Sequence, residues 1–167
     1  MTKRSFWLAV MACALCLLGS CRAPRSDFSY LNEPTVYELA GEVDGLDFRA
    51  TLSGAGRDTE GKRLTDGQDF VLVYREPAAL EGLTVVYTAA DDRYEVRLGG
   101  LAADGEAYAA LGEVGKVVLT ERAVVQRQEQ EGTVRIVGTE GVVLEVDGKD
   151  GRLLGVRWQR GRAEAVG

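Results

Sequence analysis

The sequence predicts a mainly β fold, a curved antiparallel sheet with about one helix, preceded by a short leader. Three observations predict it. Apolar residues alternate with polar ones over most of residues 36 to 158, turn dipeptides such as Asp44-Gly45 punctuate the runs at regular spacing, and only Glu106 to Leu111 has good helix-forming composition.

The first element is a hairpin. Tyr37, Leu39, Gly41 and Val43 lie on one parity, and Leu46, Phe48, Ala50 and Leu52 follow after Asp44-Gly45. Asp-Gly suits a type I′ turn because both central positions need positive φ. Residues 53 to 69 are polar and glycine-rich and predict a long loop. Strands resume at 70 to 74, 83 to 88 and 93 to 98, where Tyr94, Val96 and Leu98 face one side and Arg93, Glu95 and Arg97 the other. One face of the sheet is therefore expected to be wet.

Between Leu101 and Arg122 the alternation fails. A helix is expected around Glu106 to Leu111, limited by Gly112 and Gly115, with Val117 to Leu119 readable as helix or strand. Four more strands are expected at about 123 to 130, 133 to 138, 142 to 146 and 152 to 158, with Leu154, Val156 and Trp158 on one face. The total is eight or nine strands and one helix.

The leader has its own logic. Lys3 and Arg4 precede an apolar stretch from Phe6 to Leu18, and the chain then reads Leu18-Gly19-Ser20-Cys21. That is a signal peptide ending in a lipobox. Cleavage between Ser20 and Cys21 is expected, with a diacylglyceryl group on the Cys21 sulfur. The apolar run is shorter than the roughly 20 residues a spanning helix needs. Each buried acyl methylene contributes about 0.8 kcal/mol, so two or three chains anchor the protein firmly. The expected layout is a leader over 1 to 20, a lipidated tether over 21 to 35 and one β-rich domain over 36 to 167. The expected location is the extracytoplasmic face of the cell membrane, or the outer membrane in an organism that has one.

Composition excludes several functions. The chain has no histidine, the commonest general base near neutral pH and a frequent zinc ligand. Its three cysteines are Cys13, Cys16 and Cys21, so the processed domain would carry no free thiol and no disulfide. Without Lys3 and Arg4, 18 basic residues face 26 acidic ones, a formal balance of −8. Such a surface lacks the cationic footprint that nucleic acid requires. Asp91 and Asp92, or Glu129 and Glu131, are paired carboxylates in expected turns, where water keeps them ordinary. Asp147-Gly-Lys-Asp150-Gly lacks the bidentate glutamate of a calcium loop and reads as a turn. Neither an enzyme nor a cofactor or metal site is expected.

The stretch REPAALEGLTVVYTAADDRYEVRLGGL, residues 75 to 101, joins two strands through an acidic turn and ends in Gly-Gly-Leu. With the hairpins and the DGKDG turn of residues 123 to 158, it resembles small, mostly uncharacterised bacterial lipoproteins of clostridial type. Their mature domain looks like the unclosed half-barrel of lipoprotein-carrier and lipoprotein-sorting proteins. The resemblance implies a curved sheet capped by helix, whose hollow receives acyl chains in the carriers.

Phe48, Tyr74, Tyr87, Tyr94 and Trp158 fall on the apolar parity of their strands and are expected on one side of the sheet. They are either ordinary core or the lining of a cavity for a lipid or acyl chain. The leading expectation is thus a membrane-tethered, non-enzymatic protein binding a lipid or lipoprotein. The alternative is an envelope interaction module with a filled core.

Overall fold

A computed structural model describes residues 28 to 31, 35 to 54 and 69 to 166. Eleven strands form one antiparallel sheet: β1 (Thr35–Val43), β2 (Leu46–Gly54), β3 (Phe70–Glu76), β4 (Thr84–Thr88), β5 (Arg93–Leu98), β6 (Leu101–Asp104), β7 (Val124–Gln130), β8 (Thr133–Gly138), β9 (Val143–Asp147), β10 (Leu153–Trp158) and β11 (Gly161–Val166). The helix α1 spans Ala109–Leu119. Strand order is β6-β5-β4-β3-β2-β1-β11-β10-β9-β8-β7. From β1 in the middle of the sheet the strands meander to one edge, cross to the opposite edge through α1, and meander back until β11 closes on β1. The outer strands β6 and β7 do not pair, so the sheet is unclosed.

Local chemistry explains the hairpins. Asp44 and Gly45 adopt φ of 49° and 80°, and Glu131 and Gly132 adopt 50° and 83°, the left-handed pair that a two-residue turn needs. Alternation then places Leu39, Ala50, Leu52, Leu72 and Val85 on one buried face. Across the sheet, Val134, Ile136, Leu144, Val146 and Val156 continue that face.

Three expectations need correction. The strands number eleven rather than eight or nine, because β6 and β11 carry weak alternation: every residue of β6 is exposed, and on β11 only Ala163 is buried. The helix runs three turns through Gly112 and Gly115 instead of stopping at them, and Val117 to Leu119 are helical. Glu106–Tyr108 forms only a 3₁₀ turn ahead of it. On β10, Leu153 is buried and Leu154 is not, because a register shift against β9 between Leu153 and Gly155 moves the parity by one.

Ahead of β1, Phe28, Tyr30 and Leu31 are buried in the core, and the Tyr30 hydroxyl donates to the Val118 carbonyl of α1 at 3.0 Å. The polar residues around these three hide them in the sequence. No helix among the described residues is long and apolar enough to cross a membrane.

Small residues decide the middle of the sheet. Gly41 on β1 lies opposite Ala163, and a β-carbon there would overlap the carbonyl oxygen of Arg162. Gly161 on β11 sits beneath the Trp158 indole, whose Cζ2 would lie 3.0 Å from an added β-carbon. The first and last strands thus meet where side chains are smallest.

Candidate functional site

The five aromatic residues picked from the sequence all sit on the inner face and are almost wholly buried. Four lie on the neighbouring strands β2 to β5. Phe48 and Tyr74 meet edge-on with ring centroids 5.9 Å apart, and Tyr87 and Tyr94 meet at 4.8 Å. Phe70 joins the run by stacking on Tyr87 at 5.0 Å. Its shared parity with Leu72 and Tyr74 was the signal for including it. Trp158 stands apart on β10, beyond β1 and β11, with its Nε1 buried and without a hydrogen-bond partner among the described residues.

The helix fills the space over these rings. Gly112 packs on Tyr94 and Val85, and Gly115 packs on Phe70, so the helix backbone lies directly against the aromatics. Val114, Val117, Val118 and Leu119 complete the buried side of α1. The Tyr74 hydroxyl donates to the Leu111 carbonyl at 2.7 Å. Burial pushes the phenols of Tyr74 and Tyr94 up to about 12, which keeps both neutral. The Tyr74 hydroxyl thus ties β3 to the helix, while the phenols of both residues stay in their neutral forms.

A hollow of about 340 Å³ opens at the adjoining ends of β2, β3 and β4. Phe70 and Tyr87 border it from the inner face, Val71 and Val86 from the outer, with Ser53, Gly54, Asp69 and Thr88 at the strand ends. Cross-strand pairing fixes these walls, since Phe70 is opposite Tyr87 and Val71 opposite Val86. The Asp69 carboxylate accepts from the Ala89 amide at 2.7 Å and closes the polar side. Tyr87 is the member of the predicted five that reaches this hollow. A smaller one, about 190 Å³, lies by β1, β10 and β11 and is bordered by Val36, Tyr37, Arg152 and Val166.

The charged groups nearby are structural. Asp92 accepts from Lys116 at 2.7 Å and from the Tyr87 hydroxyl at 2.9 Å, and those bonds, the lysine's first, hold its carboxyl below the usual range. Lys116 also lies 5.3 Å from the centre of the Tyr87 ring. At the other end, Arg160 binds Asp44 bidentately and approaches Glu113 on α1 at 3.7 Å. That longer approach leaves Glu113 Oε2 buried without a true hydrogen bond. Asp147, in the DGKDG turn, accepts from the amides of Lys149 and Asp150 at 2.7 and 3.2 Å, the hydrogen bonding of a turn. Among the described residues, no group of three or more acidic or cysteine side chains is placed to hold a metal ion.

Leu18, Gly19, Ser20 and Cys21, expected as a lipobox, lie outside the described residues, as does most of the expected polar loop, residues 55 to 68.

No protein-family model and no curated protein matches the chain in sequence. Among solved structures it is similar to a domain described as an outer membrane lipoprotein-sorting protein from Vibrio parahaemolyticus, at 11% identity over 77% of this chain and 65% of that one, with a TM-score of 0.42. It is also similar to a LolA superfamily protein from Nitrosomonas europaea, at 11% identity over 75% and 63% with a TM-score of 0.38. A third is MucB, at 16% identity over 83% and 54% with a TM-score of 0.46. The chain spans less than two thirds of the length of each, and the likeness is one of sheet-and-helix arrangement alone.

Proposed function

We propose that this chain is a lipid-anchored bacterial lipoprotein of the extracytoplasmic membrane face whose β domain binds an apolar ligand, such as an acyl chain, without catalysing a reaction. The observation that carries the binding half is the hollow of about 340 Å³ walled by Phe70, Val71, Val86 and Tyr87. Small-molecule sites span roughly 300 to 1,000 Å³ and are mostly apolar. The anchoring half rests on Leu18-Gly19-Ser20-Cys21 after a charged and apolar leader. From Cys21 to the buried Phe28 the chain advances seven residues, a reach of about 25 Å when fully extended. Lipid on Cys21 would therefore hold the domain close to the bilayer.

Native mass spectrometry of the chain from Arg22 onward, before and after incubation with phospholipid and with fatty acid, tests the binding. The expected result is a stoichiometric lipid-sized adduct that Val86→Arg abolishes. A clean mass in every condition overturns it. Metabolic labelling with palmitate tests the anchor separately, with label expected on the natural chain and absent from Cys21→Ala.

A second reading is favoured by the packed inner face. With α1 seated on Phe70 and Tyr94 through two glycines, the interior between helix and sheet is filled. Should the mass remain clean, the domain is an envelope interaction module with no ligand of its own.

A further inference from the structure

The ends of five strands gather at one end of the sheet. β1 begins there at Thr35 and β2 ends there at Gly54, its partner, and Gly54 pairs in turn with Phe70 at the start of β3. β4 and β11 finish on the same side, with Tyr87 opposite Phe70 and Val166 opposite Glu38. Both hollows open here, since Ser53 at the larger one is opposite Val36 at the smaller. Val36 and Val166 are 70% and 48% exposed, and Val71, across β2 from Val36, is exposed as well. The three valines share the outer face of the sheet, and apolar side chains grouped in this way mark contact surfaces.

The segment that leads back to Cys21 packs at this same end. Ser29 lies against Gly151, and the Tyr30 ring meets the Tyr37 ring edge-on with centroids 6.5 Å apart. Gly151 precedes Arg152, and Arg152 and Tyr37 both border the smaller hollow. The seven residues from Cys21 to Phe28 span at most about 25 Å, so a lipid on Cys21 would hold this end near the bilayer. The hollow supplies the chemistry. The charge of Arg152 acts on the Tyr37 phenol, whose oxygen accepts from the Leu153 amide, and a phenol that accepts can still give its proton. Carboxylates nearby have donors of their own: Glu38 accepts from the Thr51 hydroxyl at 2.8 Å and Asp150 from the Arg152 amide at 2.9 Å. A guanidinium and a phenol beside apolar walls match a phosphate ester that carries acyl chains.

We infer that this end of the sheet is a membrane-docking face, on which Arg152 takes the phosphate of a phospholipid headgroup while Val36, Val71 and Val166 meet the interfacial region of the bilayer. Such docking rests on the lipid anchor proposed above. The chain is acidic overall, which favours a zwitterionic phospholipid over an anionic one. The phosphate then meets Arg152, and the headgroup cation suits the carboxylates of Glu38 and Asp150 beside it. No single contact has to be strong, because a short tether gives an effective concentration in the millimolar range. In this pose the hollow of about 340 Å³ faces the lipid, so an acyl chain enters it without crossing water.

The test couples the chain from Cys21 onward, whose only thiol is Cys21, to a maleimide lipid in phosphatidylcholine vesicles with brominated acyl chains. Coupling supplies the tether whether or not a cell lipidates Cys21, so a failure here is distinct from a failure of palmitate labelling. Trp158 is the only tryptophan of that chain and is buried, so its emission serves as the baseline. Val36→Trp adds a reporter on the docking face. Leu101→Trp adds one at the far end, where Leu101 is 79% exposed beside the start of β4. Both added indoles share the same preference for the interface, so a difference between them reports orientation. Quenching is expected for Val36→Trp and not for Leu101→Trp, and Arg152→Glu placed in the Val36→Trp chain should remove most of it. The vesicles carry no net charge, so that loss does not report general repulsion, and Arg152 is exposed, so circular dichroism should not change. Equal quenching at both positions, quenching at Leu101→Trp alone, quenching at neither, or quenching that Arg152→Glu leaves intact overturns the inference.

Discussion

Gly115 of α1 lies flat against the ring of Phe70, so closely that a β-carbon at position 115 would stand 2.5 Å from Cε2. The same relation holds between Gly112 and Tyr94. In an isolated helix, alanine is favoured over glycine by about 1 kcal/mol. Here the added methyl must push a buried ring or lift the helix, and overpacking costs roughly 1 to 3 kcal/mol. Gly115→Ala is expected to lower stability, read as a lower urea midpoint. An increase would mean that α1 is not seated on Phe70.

Tyr74→Phe removes one hydrogen bond, 2.7 Å long, that ties β3 to the Leu111 carbonyl of α1. The expected loss is about 1 kcal/mol. Amide exchange should rise in α1 more than in β9 or β10. Uniform change across the sheet would argue that the helix is held by packing alone.

Tyr74 and Tyr94 also set an alkaline limit. Burial raises both phenols from 10.0 to about 12, which means the fold favours their neutral forms. Their contribution is fully present below pH 10 and is lost as pH rises from 10 toward 12. Denaturation monitored against pH should fall off across that window. The fall should be shallower in Tyr94→Phe, and an unchanged slope would contradict the burial of this residue.

Gly41→Ala is expected to be strongly destabilising. The new β-carbon would meet the backbone oxygen of Arg162, which a side-chain rotation cannot relieve. A loss of about 3 kcal/mol or more is expected, because β1 and β11 join the two meanders. Thermal unfolding of Gly41→Ala beside Gly155→Ala, a strand glycine whose added β-carbon would come no nearer than 3.3 Å to its neighbours, would separate a packing effect from a general glycine effect.

The Asp92 pair should matter little. Its carboxyl is held low by Lys116 and then Tyr87, so any contribution is complete above the ordinary value of 3.8 and is lost as pH falls below it. The groups are largely exposed, and pairs of this kind contribute less than about 1 kcal/mol. Asp92→Asn should therefore shift the urea midpoint only slightly at pH 7.

The sequence by itself determined what neighbours along the chain decide. Asp44-Gly45 and Glu131-Gly132 specify tight turns through positive φ, and two-residue alternation puts Leu39, Leu72, Val85 and Ile136 on one face. The absence of histidine removes the commonest general base near neutral pH. Tertiary structure decided the rest. Gly112 and Gly115 look like helix breakers because their missing β-carbons make sense only once Phe70 and Tyr94 lie beneath them. Phe28, Tyr30 and Leu31 stand among polar residues in the sequence, and only the fold shows them buried, with the Tyr30 hydroxyl bonded to the Val118 carbonyl of α1. The register shift near Leu153, which exchanges the inner position between Leu153 and Leu154, depends on pairing with β9. The pairing of β1 with β11 depends on residues more than a hundred positions apart. Turns and alternation are short-range steric effects, whereas closure of the sheet's middle and the shape of its hollows come from contacts that exist only after the chain has folded.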